Sequence, residues 1–209
     1  TQLAPTSGAM GYGLPAAVAA KLVHPERTVI CFAGDGDFLM AGQELATAVQ
    51  YELPVVVLVV NNGMYGTIRM HQERHYPGRV FGTDLVNPDF ARYAEAFGAF
   101  GEVVERTEQF EGAFERALAA GRPALLELRV DPEGITPRHT LTQIREAAQA
   151  RTRQAWNDHA IVEERCLRAV LDSDDFRRAV LLQNRGALQG GMEAWRRAPV
   201  GTEDHAARR

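Results

Sequence analysis

Two sets of oxygen-bearing side chains are spaced to share one ion. Asp35 sits in Gly34-Asp35-Gly36, and the amide pair Asn61-Asn62 follows with 24 residues between Gly36 and Asn61. Carboxylates and carboxamides are hard oxygen donors, the type Mg²⁺ or Ca²⁺ selects. The apolar run Thr28 to Ala33 leads into the carboxylate, and Val55 to Val60 leads into the amides. If those runs are neighbouring strands, both groups fall at one sheet edge and can clamp one cation. Glycines beside them admit a phosphate. Taken singly, Asp35 also reads as a turn-capping aspartate and Asn62 as a turn asparagine.

Other groups are less pointed. Glycines 8, 11 and 13 in Thr6 to Gly13 let backbone approach a ligand, or simply pack a helix onto a sheet. His71 and His75 are four apart and share a helix face, but no third metal ligand is evident. Arg69 faces either a substrate carboxylate or solvent. Cys31, inside an apolar run, reads as a packed core thiol. Cys166 lies upstream of Gly190 to Trp195, a stretch weakly similar to the closing turn of a rhodanese domain. Arg168, Ala169 and Val170 do not supply the anion loop that would activate that cysteine.

The totals bound the alternatives. The chain has 209 residues, 45% hydrophobic and 24% charged, with a formal charge of −4. That is a globular composition, with no reason to expect nucleic acid or an acidic membrane surface. Two cysteines without a CxxC or Cys/His cluster argue against zinc and fit a reducing, cytoplasmic setting. No run reaches the ~18 apolar residues of a membrane span. The chain begins at Thr1, already among motif-like residues, which reads as a fragment of a longer protein.

The elements that must position these groups follow from pattern and punctuation. A helix is predicted over 15–23, with Pro15 in its first turn. A strand over 28–33, buried on both faces, leads to the Gly-Asp-Gly turn and a helix over 41–51. Pro54 precedes the second buried strand, 55–60. This alternation predicts a parallel sheet with right-handed crossovers, whose ligands sit outside the carboxyl ends of the strands. A short helix is predicted over 67–75, then a covering loop through Tyr76-Pro77-Gly78 and Phe81-Gly82. Asn87 is the expected N-cap of a helix over 88–97. A strand at 101–104, a helix over 108–120 capped by Thr107 and closed by Gly121, and a strand over 123–130 complete about five strands. The fold expected is α/β, three layers around a mostly parallel sheet, over residues 1–145. Residues 146–209 carry eleven Arg and ten Asp or Glu and read as a helical extension whose last ten residues are disordered.

The paired Gly34-Asp35-Gly36 and Asn61-Asn62, with the loop Thr6 to Pro15, resemble the cofactor motif of thiamine diphosphate enzymes. Residues 1 to about 145 are similar to the C-terminal domain of the acetolactate synthase, benzoylformate decarboxylase and pyruvate oxidase family. The resemblance implies thiamine diphosphate and Mg²⁺ as cofactors. It assigns the metal to Asp35, Asn62 and the backbone carbonyl of Met64. It assigns cofactor contacts to Gly8, Ala9, Met10, Gly34, Gly36, Asp37, Phe38, Asn62, Met64, Tyr65 and Gly66. Met10 matches the residue that bends the cofactor into a V, and the Gly8 carbonyl the acceptor for its 4′-amino group. The amides of Gly36, Asp37 and Phe38 would meet the diphosphate where a helix starts. Asp37 departs from the small residue many relatives carry, so its carboxylate is expected to turn away.

The resemblance further implies a 2-oxo acid substrate, with the cofactor as electron sink for decarboxylation. Ligation of the product to a second carbonyl is the acetolactate synthase variant, and simple decarboxylation the benzoylformate one. Arg69 and His71 stand as substrate-facing candidates; His71 replaces a tryptophan of the plant and yeast synthases. The family's catalytic glutamate lies on an N-terminal domain of a partner subunit. No catalytic residue is therefore expected in this chain, which alone would be inactive. The full-length enzyme would be a homodimer or homotetramer. The non-catalytic alternative is a cofactor-binding or oligomerising fragment.

Overall fold

The computed structural model of the chain describes residues 1–154, and residues Thr1–Arg151 form one compact unit. The helices predicted after residue 154, Cys166 and the rhodanese-like turn lie outside the described residues. In chain order the elements are α1 (Gly13–Val23), β1 (Val29–Gly34), α2 (Asp35–Ala41), α3 (Leu45–Gln50) and β2 (Val55–Asn61). Then come α4 (Gly66–His75), α5 (Phe90–Ala96), β3 (Phe100–Val104), α6 (Thr107–Ala119) and β4 (Ala124–Arg129). The strands pair in the order β1-β2-β4-β3, all parallel. Residues 141–151 are helical and bury Leu141 and Ala148.

The continuous apolar pattern of β2 has a direct cause. Side chains alternate between faces, and both faces are packed. Val55, Val57 and Val59 join Leu14, Val18, Phe38, Leu45, Phe90 and Ala94 from α1, α2, α3 and α5. Val56 and Leu58 join Ala113 and Ala117 of α6 on the opposite face. Five of the seven β2 residues are buried, so this strand is the centre of the three layers.

Four expectations are corrected. The described residues contain four strands rather than about five. The stretch between β2 and α5, punctuated by Gly63, Gly66, Pro77, Gly78 and Gly82, makes only one isolated antiparallel bridge, Met64 with Asp84. The strand β1 is not buried on both faces. It is the sheet edge, and Ile30 and Phe32 remain 42% and 69% exposed because α6 covers the β3–β4 side. The helix expected over 41–51 starts earlier and breaks. Gly34-Asp35-Gly36 is not a free turn, since Asp35 opens α2, and one 3₁₀ turn at Gly42–Glu44 separates α2 from α3. Gly42 sits there because a Cβ would lie 2.8 Å from the Phe38 ring.

The fourth correction concerns caps. Asp89, not Asn87, caps α5, its carboxylate accepting from the Arg92 amide at 3.0 Å. The Asn87 side chain donates instead to Asp35 and Asn61. Thr107 is the first helical residue of α6, and Gln109 reaches back to accept from the amides of Glu105 and Arg106. Gly121 follows α6 with φ 63°, the left-handed geometry that glycine adopts without strain.

Candidate functional site

The sheet register sets the site. Gly34 lies opposite Val60, so Asp35 and Asn61 leave the sheet at the same carboxyl edge. Asp35 is 2% exposed. Its Oδ2 accepts from the Gly63 amide at 2.9 Å and from Asn87 Nδ2 at 2.7 Å. The same two donors reach Asn61 Oδ1, at 3.0 Å from Gly63 and 2.9 Å from Asn87. Asp35 Oδ1 takes part in none of these bonds. A carboxylate at the first position of a helix is favoured by the helix dipole.

The turn after β2 is held open by its partner segment. Gly63 adopts φ 71°. The Tyr65 amide donates to the Thr83 carbonyl at 2.9 Å, and the Leu85 amide to the Gly63 carbonyl at 2.9 Å. These pairings leave the Met64 carbonyl out of the ladder. Asn62 Oδ1 accepts from the Met64 amide at 3.2 Å, an Asx turn that still leaves a lone pair. The expected turn role of Asn62 therefore leaves its Oδ1 with capacity for a second partner. Asp35 Oδ1, Asn62 Oδ1 and the Met64 carbonyl are three oxygens from one sheet edge, a donor set that suits Mg²⁺.

The glycine loop is tied to the same helix. Gly8 and Gly11 adopt φ 66° and 85°. The Gly11 amide donates to Asp37 Oδ1 at 2.5 Å, and a Cβ at Gly11 would lie 3.2 Å from Met40 Cβ. Asp37 thus turns its carboxylate to the loop, which carries Gly8, Ala9 and a 43% exposed Met10 against α2. Gly36 and Gly66 are also packing positions. A Cβ at Gly36 would come within 2.4 Å of the Tyr65 ring, and one at Gly66 within 2.7 Å of Asn62 Nδ2 and of Ile135. Phe38 is a core residue, packed edge-on against Phe90 and Tyr93.

Arg69 does not face solvent. It is 9% exposed, its Nε donates to Thr83 Oγ1 at 2.6 Å, and it pairs with Asp84. It therefore clamps the segment that the Gly63–Tyr65 turn pairs with. His71 is exposed and stacks on His75, ring centroids 6.2 Å apart. Among the described residues no group of three or more His, Cys, Asp or Glu is gathered for a metal. Burial, with the Asp37 carboxylate nearby, pushes the Cys31 thiol up to about 11, which suits a packed thiol rather than a nucleophile.

Two site residues escaped the sequence reading. Glu127, in the apolar strand β4, is 2% exposed. Its Oε1 accepts from Asn61 Nδ2 at 2.9 Å and Arg129 Nε at 3.1 Å, and its Oε2 from the Phe90 amide at 3.2 Å. Hydrogen bonding to Glu127 holds the Arg129 guanidinium above its usual range. The signal was a lone acidic residue inside Ala124-Leu125-Leu126-Glu127-Leu128. The second residue, Asn87, looked like a helix cap because Pro88 follows it.

Comparison with known proteins gives concordant matches. Residues 1–128 match the family model described as thiamine pyrophosphate enzyme, C-terminal TPP binding domain. The acetolactate synthase isozyme 2 large subunit of Escherichia coli (strain K12) is 40% identical over 125 residues, covering 59% of this chain and 23% of that protein. An acetolactate synthase of Arthrospira platensis is 42% identical over 125 residues, covering 59% and 22%. A solved thiamine diphosphate-dependent 4-hydroxybenzoylformate decarboxylase of Rhodococcus jostii RHA1 superposes with a TM-score of 0.58 at 42% identity, covering 61% and 24%. The matched stretch is thus under a quarter of the length of these relatives.

Proposed function

The chain belongs to the thiamine pyrophosphate enzymes and carries their C-terminal TPP-binding domain, and on that premise we propose that it holds the diphosphate end of the cofactor through Mg²⁺ in an acetolactate synthase-like enzyme acting on a 2-oxo acid. The observation that supports this most directly is the bond from the Gly63 amide to Asp35 Oδ2, which brings the turn between Asn62 and Met64 to Asp35 at one sheet edge. Asp35 Oδ1, Asn62 Oδ1 and the Met64 carbonyl would hold the cation. The first-turn amides of Gly36 and Asp37 have no intrahelical partners, and with the Phe38 amide beside them they would receive diphosphate oxygens. Gly34, Tyr65 and Gly66 would shape that pocket, and Gly8, Ala9 and Met10 would lie along the pyrimidine ring.

Bound thiamine diphosphate supplies an electron sink for decarboxylation of a 2-oxo acid. This chain's residues bind and orient. Asp35 brings negative charge against the cation, and the Asp37–Gly11 bond fixes the distance between diphosphate helix and pyrimidine loop. No acid or base of the chemical step is assigned to this chain; the glutamate of that role would come from the remainder of a full-length enzyme, a homodimer or homotetramer in the cytoplasm. His71 remains a substrate-facing candidate by its exposure, and Arg69 acts on the substrate only through the segment it clamps. Carboligation is favoured by the synthase relatives; simple decarboxylation is the second reading, favoured by the 42% identical decarboxylase structure.

Titration of the chain with thiamine diphosphate, with and without Mg²⁺, tests the reading. Cation-dependent binding is expected in the native chain and its loss in Asp35→Ala. Binding that ignores Mg²⁺, or survives Asp35→Ala unchanged, overturns the metal assignment.

A further inference from the structure

Asn87 stands 52 residues from Asp35 in sequence, yet its amide reaches the centre of the site. Nδ2 carries two protons, and two acceptors lie in range: Asp35 Oδ2 at 2.7 Å and Asn61 Oδ1 at 2.9 Å. The other end of the same amide is abnormal. Asn87 Oδ1 is buried and has no hydrogen-bond partner among the described residues. A buried acceptor without a donor is unfavourable, because it gives up its bond to water and gains none in return. Rotating the amide by half a turn would not relieve it. The oxygen would then face the Asp35 carboxylate and the Asn61 carbonyl oxygen, three acceptors with no proton between them. The side chain is therefore held in an orientation that leaves one atom unsatisfied, and what it gains is the pair of bonds at the site.

We infer that Asn87 is a positioning residue for the cation ligand: with the Gly63 amide it occupies Asp35 Oδ2 and so leaves Oδ1 as the oxygen presented to Mg²⁺. This rests on the reading of Asp35 as a metal ligand. The geometry also explains the role of Asn61, which is not itself a ligand. Asn61 Oδ1 takes the second proton of Asn87 and a share of the Gly63 amide, while Asn61 Nδ2 is anchored on Glu127. The Asp35 carboxylate is thereby fixed through two layers of hydrogen bonds that end on a buried strand. Asn87 itself is placed by the paired 83–85 segment before it and by α5 after it.

The test compares the native chain with Asn87→Ala and Asn87→Ser, the latter keeping one hydroxyl donor. Mg²⁺ is titrated at fixed thiamine diphosphate, with binding read by quenching of intrinsic fluorescence, and unfolding is followed without either ligand. Loss of a partner that orients a metal ligand typically weakens metal binding by about 10–100-fold. The expected result is a Mg²⁺ half-saturation raised by at least about tenfold in Asn87→Ala, less in Asn87→Ser, with full binding recovered at high Mg²⁺. A merely structural role would lower the amplitude and leave the half-saturation where it was. That outcome in a folded variant overturns the inference. If Asn87→Ala does not fold, Asn87→Ser carries the same reading. If the native chain shows no Mg²⁺-dependent binding, the cofactor site itself is wrong and the inference falls with it.

Discussion

Asn61 on β2 donates its side-chain amide to Glu127 on β4 at 2.9 Å, one strand over and in the sheet interior. Glu127 also accepts from the Phe90 amide, so one buried carboxylate joins β2, β4 and the start of α5. Removing the carboxylate strands these donors in a dry environment. Glu127→Ala is expected to lower unfolding free energy on the order of 3 kcal/mol, since each buried donor left unpaired costs about 1–3 kcal/mol. Glu127→Gln retains one acceptor oxygen and should lose less. Urea denaturation of both variants measures this. A Glu127→Ala chain as stable as the native one would mean that the Asn61 and Phe90 donors find water instead.

Gly36 supports the site by what it lacks. A Cβ there would meet the Tyr65 ring at 2.4 and 2.6 Å and Leu85 at 3.2 Å. Gly36→Ala must therefore displace Tyr65, whose amide is one of the bonds holding the Met64 turn. Overpacking of this kind costs about 1–3 kcal/mol. Thiamine diphosphate binding should weaken along with stability. Tyr65→Ala should relieve the clash, so the double variant Gly36→Ala/Tyr65→Ala should be more stable than Gly36→Ala alone. A double-mutant cycle with strictly additive effects would dissociate the two residues.

The part of this arrangement that was legible in the sequence is the part written in local pattern. Val55 to Val60 announced a central strand because every residue is apolar, and the Gly-Asp-Gly and Asn-Asn groups ended their strands at one edge as read. The rest depends on contacts between distant residues. Asn87 before Pro88 looked like a cap, and only the Met64–Asp84 bridge carries it to Asp35. The exposure of Phe32 could not be read from its strand, because burial of an edge strand depends on what covers it. Arg69 illustrates the same limit: its partners Thr83 and Asp84 are brought to it by the turn at Gly63.

Cys31 gives a chemical check on the packing of α1 against β1. It is 4% exposed, and a Cβ at Gly13 would lie 3.0 Å from its sulfur. With its thiol raised to about 11 by burial first and Asp37 second, it should resist alkylation at pH 8 in the folded chain and react after denaturation. A raised value in the folded state means that stability is intact below the unfolded value of about 8.5 and falls as pH rises toward 11. Cys31→Ala should remove that alkaline loss. Rapid native-state alkylation of Cys31, located by peptide mapping, would show that α1 opens.

Glu73 and Arg145 supply the acid-side counterpart. Glu73 on α4 is fully buried, and its Oε1 accepts from Arg145 Nη2 at 2.6 Å while its Oε2 accepts from the Gly78 amide at 2.8 Å. Arg145 lies in the helical residues after 141, so this pair ties that helix and the Tyr76–Gly78 turn to α4. The hydrogen bond from Arg145 is the chief cause that holds the Glu73 carboxyl below its usual range, against the opposing effect of burial. A lowered carboxyl stabilises the fold above its unfolded value, about 4.3, and that contribution is lost as pH falls through the lowered folded value. Glu73→Gln should therefore be less stable at pH 7 and flatter in its stability profile below pH 5. Arg145→Ala leaves the buried carboxylate with the Gly78 amide alone. Breaking such a pair costs on the order of 3 kcal/mol, the low end of the usual range because Arg145 is partly exposed. Its stability profile should also flatten below pH 5, since without Arg145 the Glu73 carboxyl loses the chief cause that lowers it in the folded chain. Thermal unfolding of the three chains between pH 3 and pH 7 measures both effects, and an Arg145→Ala chain that loses as much stability between pH 7 and pH 3 as the native one would show that the pair does not set the acid loss.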